Sequence, residues 1–405
     1  MGQIQISNVF KIFGPKPHSV MDLVRRGVPK DELLNDTGHT IGVQDVTLTI
    51  EPGQCTVVMG LSGSGKSTLI RHINRLIEPT DGEIVVEGQN ILELKGRELE
   101  DFRRQKLSMV FQRFGLFPHK TVINNVAYGL DIKGGSKAEK RTNREKARHW
   151  IGQVGLTGYE DQYPSQLSGG MQQRVGLARA LATDADTLLM DEAFSALDPL
   201  IRREMQDQLI ELQETLQKTI MFITHDLDEA LRLGDKIAIM KDGAIEQIGT
   251  GEEILQQPQT EYVRRFVEDV NRGRVLTAGT VKIGCKIVKT DTAPGDALRQ
   301  LGEDDLRVTY VVDANGRLVG AVTAASLRMG ERNNIVTVDS LAEDVPTATE
   351  DMVLEEVLPM TVGEDIPVAV LSDGGELKGI LPKDTIIKAL AEEAQLTGVA
   401  GGQAE

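Results

Sequence analysis

A glycine-rich loop between an apolar strand and a helix constrains this chain more than any other feature. The stretch GLSGSGKST occupies residues 60–68, with apolar residues 56–59 before it and a helical pattern, residues 68–73, after it. The fixed positions of the pattern G-x-x-x-x-G-K-[ST] are Gly60, Gly65, Lys66 and Ser67. Backbone N–H groups and a helix N-terminus converge on an anion in this arrangement, so a phosphate cradle is predicted; the alternative is a tight turn that binds nothing.

The side chains of this loop carry separate predicted roles. Lys66 would reach the β- and γ-phosphates of a nucleotide, and the Ser67 hydroxyl would ligate Mg²⁺. Further contacts to the nucleotide are expected from Ser62, Gly63, Ser64 and Thr68. The loop therefore predicts nucleotide binding without saying what the nucleotide is used for.

A second apolar run, TLLMDE at residues 187–192, ends in two acidic residues. A carboxylate at a strand end near a phosphate-binding loop typically holds Mg²⁺, which is the role predicted for Asp191. Glu192 could orient and deprotonate an attacking water. Taken alone, the two acids could equally cap the next helix.

Composition limits the classes of protein to which the chain can belong. The net charge of −16 argues against nucleic acid as a main partner. Cys55 and Cys285 are too far apart for a metal-binding spacing, and no apolar run reaches the length of about 18 residues that a membrane span requires. A chain of 405 residues is expected to form two domains.

The pattern along the chain predicts an α/β domain over residues 1–274. Strands alternate with helices, which favours a largely parallel sheet, and helical patterns dominate between about 92 and 182. Strands are predicted at residues 1–13, 41–51, 187–190, 219–224 and 236–240. Residues 15–40 are an unusual insert in which one or two short helices are expected.

The remainder of the chain contains an internal repeat. Asp305-Leu306-Arg307-Val308 parallels Asp365-Ile366-Pro367-Val368, and each copy follows a short helical pattern. Two β-α-β-β-α units, at about 277–330 and 335–392, would pair into one small domain covering 275–392. A flexible tail is predicted at 393–405.

A set of motifs that follow one another in order resembles the ATP-binding cassette (ABC) ATPases. Leu167-Ser168-Gly169-Gly170-Met171-Gln172-Gln173-Arg174 resembles the family's signature motif, and Gln112 its Q-loop. Ser195-Ala196-Leu197-Asp198 resembles the D-loop, and His225 the switch histidine. The resemblance implies a P-loop NTPase fold, with a RecA-like core and a helical subdomain.

The family implies a mechanism that needs two copies of the chain. Two cassettes would face each other head to tail, each ATP lying between the phosphate-binding loop of one copy and the signature motif of the other. The residues implied to act in trans are Ser168, Gly169, Gly170, Gln173 and Asp198. Glu192 would be the general base, with His225 at the γ-phosphate and Gln112 at the metal and water; Mg²⁺ would be held by Ser67, Gln112 and Asp191. Phe13 is the expected adenine-stacking residue, with Phe10 as the alternative.

Further residues narrow the resemblance to the ATPase subunits of glycine betaine/proline betaine uptake systems. The run HINRLIEPT at 72–80 is similar to that family, as is the insert after Lys11-Ile12-Phe13-Gly14. Many of those subunits end in a tandem cystathionine-β-synthase-like (CBS) pair, a small α+β domain that the repeat resembles. CBS pairs that bind adenine nucleotides often use a Thr or Ser three residues after a glycine and an Asp six residues after it. These positions hold Thr323 and Ser326 in the first half and Pro382 and Thr385 in the second, so the Asp is absent from both and nucleotide binding is not favoured.

The resemblance implies partners and a place in the cell. A homodimer of this subunit would dock on transmembrane permease subunits at the cytoplasmic face of the plasma (inner) membrane, served indirectly by a periplasmic or lipid-anchored substrate-binding protein. The segment Phe114 to His119 would line the groove for the permease, or else pack within the helical subdomain. The alternatives are an importer for another small solute, such as an amino acid, and a nucleotide switch without transport.

Overall fold

The computed structural model describes residues 2–112, 115–132, 137–268, 273, 275–302, 308–363 and 366–391. The chain divides into two compact units, Met1–Val270 and Asn271–Glu405. The predicted tail at 393–405, Phe114, and the repeat residues Asp305 to Arg307 and Asp365 lie outside the described residues.

The strands of the first unit form two sheets within the described ranges. One sheet has the order β2-β1-β4-β5 and the other β10-β9-β3-β8-β7-β6. The strands are β1 (Ile4–Phe13), β2 (Thr40–Ile50), β3 (Cys55–Met59), β4 (Asp81–Val86), β5 (Gln89–Asn90), β6 (Leu107–Val110), β7 (Thr187–Asp191), β8 (Thr219–Thr224), β9 (Lys236–Lys241) and β10 (Ala244–Gly249).

The second of these sheets brings the candidate site together. Strands β6, β7, β8, β3 and β9 pair in parallel, and β10 is antiparallel at the edge. The residues of β3, β7 and β8 are buried along their whole length, as expected for parallel strands covered on both faces. Their carboxyl ends therefore meet at one edge of the sheet, where ligands of such folds bind. This confirms the predicted α/β fold with a largely parallel sheet.

Helices cover the sheet and form most of the segment between β6 and β7. They are α1 (Met21–Arg25), α2 (Lys30–Thr37), α3 (Lys66–Ile73), α4 (Arg97–Gln105), α5 (Val122–Val126), α6 (Tyr128–Ile132), α7 (Lys137–Gln153), α8 (Gly169–Ala182), α9 (Pro199–Leu216), α10 (Leu227–Leu233), α11 (Gly251–Gln256) and α12 (Glu261–Val267). Short 3-10 helices lie at Pro17–Val20 and Pro164–Gln166. The insert contains the predicted helices as α1 and α2.

The second unit repeats one pattern twice. Its elements are α13 (Ala278–Val281), β11 (Ile287–Lys289), α14 (Pro294–Leu301), β12 (Val308–Val312), β13 (Leu318–Thr323), α15 (Ala324–Arg332), β14 (Thr347–Thr349), α16 (Leu354–Val357), β15 (Val368–Leu371), β16 (Leu377–Leu381) and α17 (Lys383–Ala391), with 3-10 helices at Val338–Leu341 and Leu358–Thr361. In the described residues β11-β12-β13 and β14-β15-β16 form matching sheets, each with one parallel and one antiparallel pair. The β-α-β-β-α order is present in both halves.

The two halves of this unit share a core. Tyr310 of the first half is fully buried and packs with Ala369 and Ile380 of the second. Its hydroxyl donates to the carbonyl oxygen of Pro367 at 2.6 Å. The repeat therefore folds as one body, because each half supplies part of the apolar surface that the other buries.

The sequence interpretation missed four described strands of the first unit. The mostly helical segment predicted from 92 onwards is interrupted by β6, and β4, β5 and β10 are not among the predicted strands. Across the described part of the chain, no helix combines the length and apolar character needed to cross a bilayer.

Candidate functional site

The phosphate-binding loop joins β3 to α3 and wraps around the ammonium group of Lys66. Lys66 Nζ donates to the carbonyl oxygens of Gly60 at 2.7 Å and Leu61 at 3.0 Å. Gly65 has φ of +102°, and a Cβ there would lie 2.3 Å from the carbonyl oxygen of Gly42. The loop can therefore lie this close to β2 only because glycine occupies this position.

Lys66 is 4% exposed, and burial lowers its pKa, opposed by the charges of Glu192 and Asp191. Among the described residues, its ammonium group donates to the two backbone carbonyls of the loop. Ser64 Oγ, also in the loop, is buried without a hydrogen-bond partner in the described residues. A cation and an unsatisfied hydroxyl within one loop fit a bound phosphate. Ser62 and Gly63 are exposed, and Thr68 is half-buried.

Asp191, the last residue of β7, is tied to α3 by two contacts. Ser67 Oγ donates to Asp191 Oδ1 at 2.8 Å, and Arg71 Nη2 donates to Asp191 Oδ2 at 2.9 Å. Asp191 is 2% exposed, so the carboxylate is held at the sheet edge beside the loop. A hydroxyl and a carboxylate oxygen placed together are ligands that suit Mg²⁺.

Glu192, Gln112 and His225 come together at the carboxyl ends of β7, β6 and β8. Gln112 Nε2 donates to Glu192 Oε2 at 2.7 Å, and His225 Nδ1 lies 3.9 Å from the same oxygen. Glu192 has φ of +47°, and its N–H donates to the carbonyl of Ile223 at 3.1 Å. This uncommon backbone conformation turns the chain sharply after β7 and is of the kind that recurs at functional sites.

The signature turn begins α8 and is open to solvent. Ser168 is exposed, and its Oγ accepts from the N–H of Met171 at 3.3 Å. Asp198 similarly caps α9 through the N–H of Ile201 at 3.1 Å, and Ile201 packs against Gly170. In the described residues no hydrogen bond joins Ser168, Gly169 or Gly170 to the phosphate-binding loop of the same chain.

One predicted contact is wrong. Gln173 was expected to reach ATP in a second copy, but its side chain is fully buried. Both of its side-chain polar atoms lack a partner among the described residues. On α8 it shares the buried helical face with Leu177 and Ala180, so it cannot reach a facing chain.

The two candidate adenine-stacking residues occupy different environments. Phe13 is 42% exposed, with Lys11 Nζ 5.1 Å from its ring centroid. Phe10 is 7% exposed and packs in the core formed with the insert. The alternative, Phe10, is therefore excluded, because its ring faces the protein interior; stacking by Phe13 stays a prediction.

A half-open cavity lies beside the Q-loop. Its volume is about 340 Å³, and its walls include Met109, Gly115, Phe117, Tyr128 and Arg179. The predicted permease groove overlaps it through Gly115 and Phe117. The aromatic pair Phe117–Tyr128, with ring centroids 4.3 Å apart, gives one wall an apolar face.

Two functional contacts were missed by sequence reasoning. Arg71 was not predicted to hold Asp191, although its spacing of four residues from Ser67 places both on one face of α3. Arg202 joins the D-loop to the switch-histidine loop: its guanidinium donates to the carbonyls of Ser195 and Leu197, and to Asp226 at 3.3 Å. No spacing in the sequence indicated this second contact, because it links distant segments.

In the second unit, the position compared with nucleotide-binding CBS pairs is used for capping. Thr323 Oγ1 accepts from the N–H of Ser326 at 3.1 Å, and Ser326 Oγ accepts from the N–H of Thr323 at 2.9 Å. Each side chain thus satisfies the other residue's backbone N–H, which stabilises the start of α15.

Comparison with known proteins gives the family. The family model for the ABC transporter matches residues 43–195, and the model for the CBS domain matches residues 283–329. The glycine betaine/carnitine transport ATP-binding protein GbuA of Listeria monocytogenes serotype 1/2a (strain 10403S) is 50% identical over 393 residues, covering 96% of this chain and 98% of the relative. The glycine betaine/proline betaine transport system ATP-binding protein ProV of Escherichia coli (strain K12) is 44% identical over 401 residues, covering 98% of this chain and 99% of the relative.

A solved structure matches the first unit. The dimeric post-hydrolysis state of the ATP-binding cassette MJ0796, bound to ADP and phosphate, is 31% identical, with a TM-score of 0.52. It covers 61% of this chain and 98% of its own. The matches to GbuA and ProV extend over nearly the full length of this chain and of each relative. This chain therefore belongs to the ABC ATPases, in the family of glycine betaine transport ATP-binding proteins.

Proposed function

We propose that this protein is the ATP-hydrolysing subunit of an importer that takes up a quaternary ammonium compatible solute, such as glycine betaine, proline betaine or choline. The observation that carries the proposal is the 50% identity to a glycine betaine/carnitine transport ATP-binding protein over 96% of this chain. The match includes both units, so it extends beyond the cassette that all ABC ATPases share. The solute itself is recognised by other subunits, so this chain supplies the energy for transport and not the specificity.

The site suggests how each residue acts on ATP. The loop around Lys66 binds the β- and γ-phosphates, where the lysine charge offsets that of the nucleotide. Glu192 accepts a proton from the attacking water, and the hydrogen bond from Gln112 fixes the direction of its carboxylate. His225, whose Nδ1 is 3.9 Å from Glu192 Oε2, would contact the γ-phosphate.

A magnesium ion fits the oxygen atoms at the edge of the sheet. Ser67 and Asp191 present a hydroxyl and a carboxylate 2.8 Å apart, and Gln112 adds an amide oxygen once its Nε2 is engaged by Glu192. When bound, the ion would neutralise charge that builds up on the phosphates during transfer. Arg71 keeps the Asp191 side chain oriented toward this position.

The exposed signature turn supports a composite site in a homodimer. Ser168, Gly169 and Gly170 open a helix whose N-terminus favours an anion, and they have no hydrogen bond to the loop of their own chain in the described residues. Two copies related by a twofold axis would place each turn, with the neighbouring Asp198, against the partner's nucleotide. The dimeric state of MJ0796 with ADP and phosphate is consistent with this arrangement.

The cavity beside the Q-loop is the proposed contact with the permease. It combines apolar rings with arginines and is continuous with the segment that carries Gln112. A permease helix seated there would bias the position of Gln112 and thus the hydrolytic site. In this proposal the subunit lies at the cytoplasmic face of the membrane, and a separate solute-binding protein delivers the solute on the other side.

The experiment is solute uptake in cells that express this chain with its permease. Radiolabelled glycine betaine, proline betaine, choline and proline are compared for wild type and Glu192→Gln, with Glu211→Gln on the exposed face of α9 as the matched control. Uptake of a quaternary amine that Glu192→Gln abolishes and Glu211→Gln preserves supports the proposal. Mutant-sensitive uptake of proline or other amino acids alone would contradict the substrate class, and nucleotide hydrolysis without any uptake would favour a switch without transport.

A further inference from the structure

The insert between β1 and β2 has no role in the function described so far. The last pair of the β1–β2 ladder is Phe13 with Thr40, and the chain leaves and re-enters the sheet at this pair. Phe13, which is predicted to stack on adenine, is thus the last residue of β1, at the point where the insert begins. A ladder end in this position frays unless something closes it.

His39 joins the two ends of the insert at Pro15, close to Phe13 in the sequence. Its Nε2 donates to the carbonyl oxygen of Pro15 at 2.8 Å, and its Nδ1 lies 3.0 Å from Thr37 Oγ1. The imidazole is 5% exposed, and a Cβ on Gly14 would lie 2.4 Å from its Cδ2. Gly14, with φ of +141°, therefore lets the ring abut the backbone next to Phe13.

The ring of Phe13 packs against the neighbouring strand, β2. A Cβ on Gly42 would lie 2.5 Å from Phe13 Cε2, so the ring lies against the bare backbone of β2. Gly42 also approaches the phosphate-binding loop, because its carbonyl oxygen faces Gly65. The surface on which Phe13 rests therefore continues to the place where phosphates bind.

The insert is itself fastened to the cassette. Val24 and Leu33 pack with Phe10 and Ile12 of β1 in a separate small core. Lys30 lies 3.9 Å from Asp242, and the next residue, Gly243, donates its N–H to the carbonyl of Ser64 at 3.0 Å. The His39 contact thus joins the ladder end to an insert that packs on β1 and reaches Asp242, next to the residue that contacts the phosphate-binding loop.

We propose that His39 is a positioning residue for the base of the nucleotide: by clasping the two ends of the insert, it holds Phe13 in place for stacking on adenine. The inference rests on the proposed function, in which ATP is the ligand and Phe13 contacts its base. A rigid platform loses less conformational freedom when the base binds, so the clasp raises affinity for adenine nucleotides without contacting them.

The test compares binding of MgADP and of magnesium pyrophosphate by titration calorimetry on the full chain. We expect Phe13→Ala to weaken ADP binding about tenfold, within the range for loss of base–aromatic stacking. We expect His39→Ala to weaken it about threefold to fivefold, with pyrophosphate affinity unchanged for both variants. Phe13→Ala/His39→Ala should bind ADP no more weakly than Phe13→Ala alone, since the histidine acts through the ring.

Two further variants separate positioning from general destabilisation. His18→Ala removes an exposed histidine from the same insert and should leave both affinities unchanged. His39→Gln retains an N–H donor for Pro15 and should recover most of the lost ADP affinity. A loss of pyrophosphate affinity in His39→Ala would overturn the proposal, because it would show damage to the phosphate-binding loop instead.

Failure of the inference and failure of the proposed function give different results. If Phe13→Ala weakens ADP binding and His39→Ala does not, the positioning role is overturned and ATP binding stands. Wild-type affinity in Phe13→Ala overturns the adenine platform and with it the inference. If the wild-type chain binds neither ADP nor pyrophosphate, both the function and the inference are overturned.

Discussion

Helices α8 and α15, one in each unit, both begin with a hydroxyl N-cap, but the hydrogen bonding around the two caps differs. Ser168 caps α8 in the cassette, is exposed, and is followed by two glycines that leave the surrounding N–H groups open. Thr323 caps α15 in the repeat, where Ser326 returns a reciprocal hydrogen bond. The first cap leaves room for an anion to approach, and the second completes its own hydrogen bonding.

The same contrast extends to the polar groups of each unit. In the cassette, the charged residues Lys66, Asp191 and Glu192 lie together at the carboxyl-terminal edge of the parallel sheet. In the second unit, a central buried polar contact is Tyr310 with Pro367, which joins the two halves. The comparison predicts that hydrolysis takes place at the sheet edge of the cassette, whereas the Tyr310 contact holds the two halves of the repeat together.

The largest effect expected is that of Glu192→Gln on turnover. Loss of the general base should lower steady-state phosphate release about 10²- to 10⁴-fold, while ADP affinity stays within about twofold because the side chain keeps its shape. Glu356→Gln, an exposed substitution on α16 of the repeat, is the matched control and should leave turnover unchanged. Near-normal hydrolysis by Glu192→Gln would place the base elsewhere.

A smaller effect is expected from pH, through Lys66. Burial lowers the pKa of this ammonium, so it loses its proton at a lower pH than an exposed lysine. We expect kcat/KM for ATP to fall about tenfold per pH unit above that lowered pKa, while kcat at saturating ATP changes less. The stability contribution has the opposite sign: the unfolded chain holds this proton to higher pH, so stability rises with pH between the two pKa values.

Lys378 in the repeat provides the contrast for this pH profile. Its pKa is raised, first by a hydrogen bond with Glu376, and it belongs to the second unit, whereas the predicted ATP-site residues belong to the first. Lys378→Met should therefore leave the alkaline limb of kcat/KM unchanged. A shift of the alkaline decrease in kcat/KM on Lys378→Met would contradict the assignment to Lys66. A decrease that begins only at the pH where an exposed lysine loses its proton would contradict it too.

The smallest effect on turnover is expected from Tyr310→Phe. Removing the hydroxyl leaves the carbonyl of Pro367 without its buried donor and should lower the unfolding free energy of the second unit by about 1–3 kcal/mol. Hydrogen exchange of the amides of β12 measures the loss, with Tyr159→Phe in the cassette as an exposed control. ATP turnover should not change; a parallel loss of turnover would show that the repeat takes part in the chemistry.

The parts of the fold that were predictable carry strong local patterns. The loop at 60–68, the buried runs of β7 and β8, and the repeat each combine a hydrophobic period with glycine or turn residues. Strand β6 escaped because four residues are too short to show a period within a helical segment. Strand β1 contains register shifts near Val9 and Lys11, so simple alternation could not tell that Phe10 points inward and Phe13 outward.

The site was predictable in its residue types and less so in its contacts. Motif spacing predicted Lys66, Asp191, Glu192 and His225, and the structure brings all four to the carboxyl-terminal edge of one parallel sheet. The place of Gln173 in the signature motif predicts a contact with ATP. Its helical spacing from Leu177 and Ala180 indicates instead that it lies on the buried face of α8. The clasp of His39 and the positive φ of Glu192 depend on tertiary contacts that local sequence does not encode.

The most direct test of a composite site is to mix two defective chains. Lys66→Met removes the phosphate contact of the chain's own loop, and Ser168→Arg blocks the turn that faces the partner. In a head-to-tail dimer of one chain of each kind, both defects fall in one site and the other site is intact. Random mixing should then restore about a quarter of the wild-type number of intact sites, though each variant alone is inactive.

Steady-state phosphate release by the two purified variants, alone and mixed in equal amounts, gives the answer. Activity in the mixture well above the sum of the separate variants is the predicted result, because only exchange into mixed dimers assembles an intact site. A mixture no more active than that sum, at concentrations where mixed dimers are detected by differential tagging, would contradict the account that each site is shared between two chains.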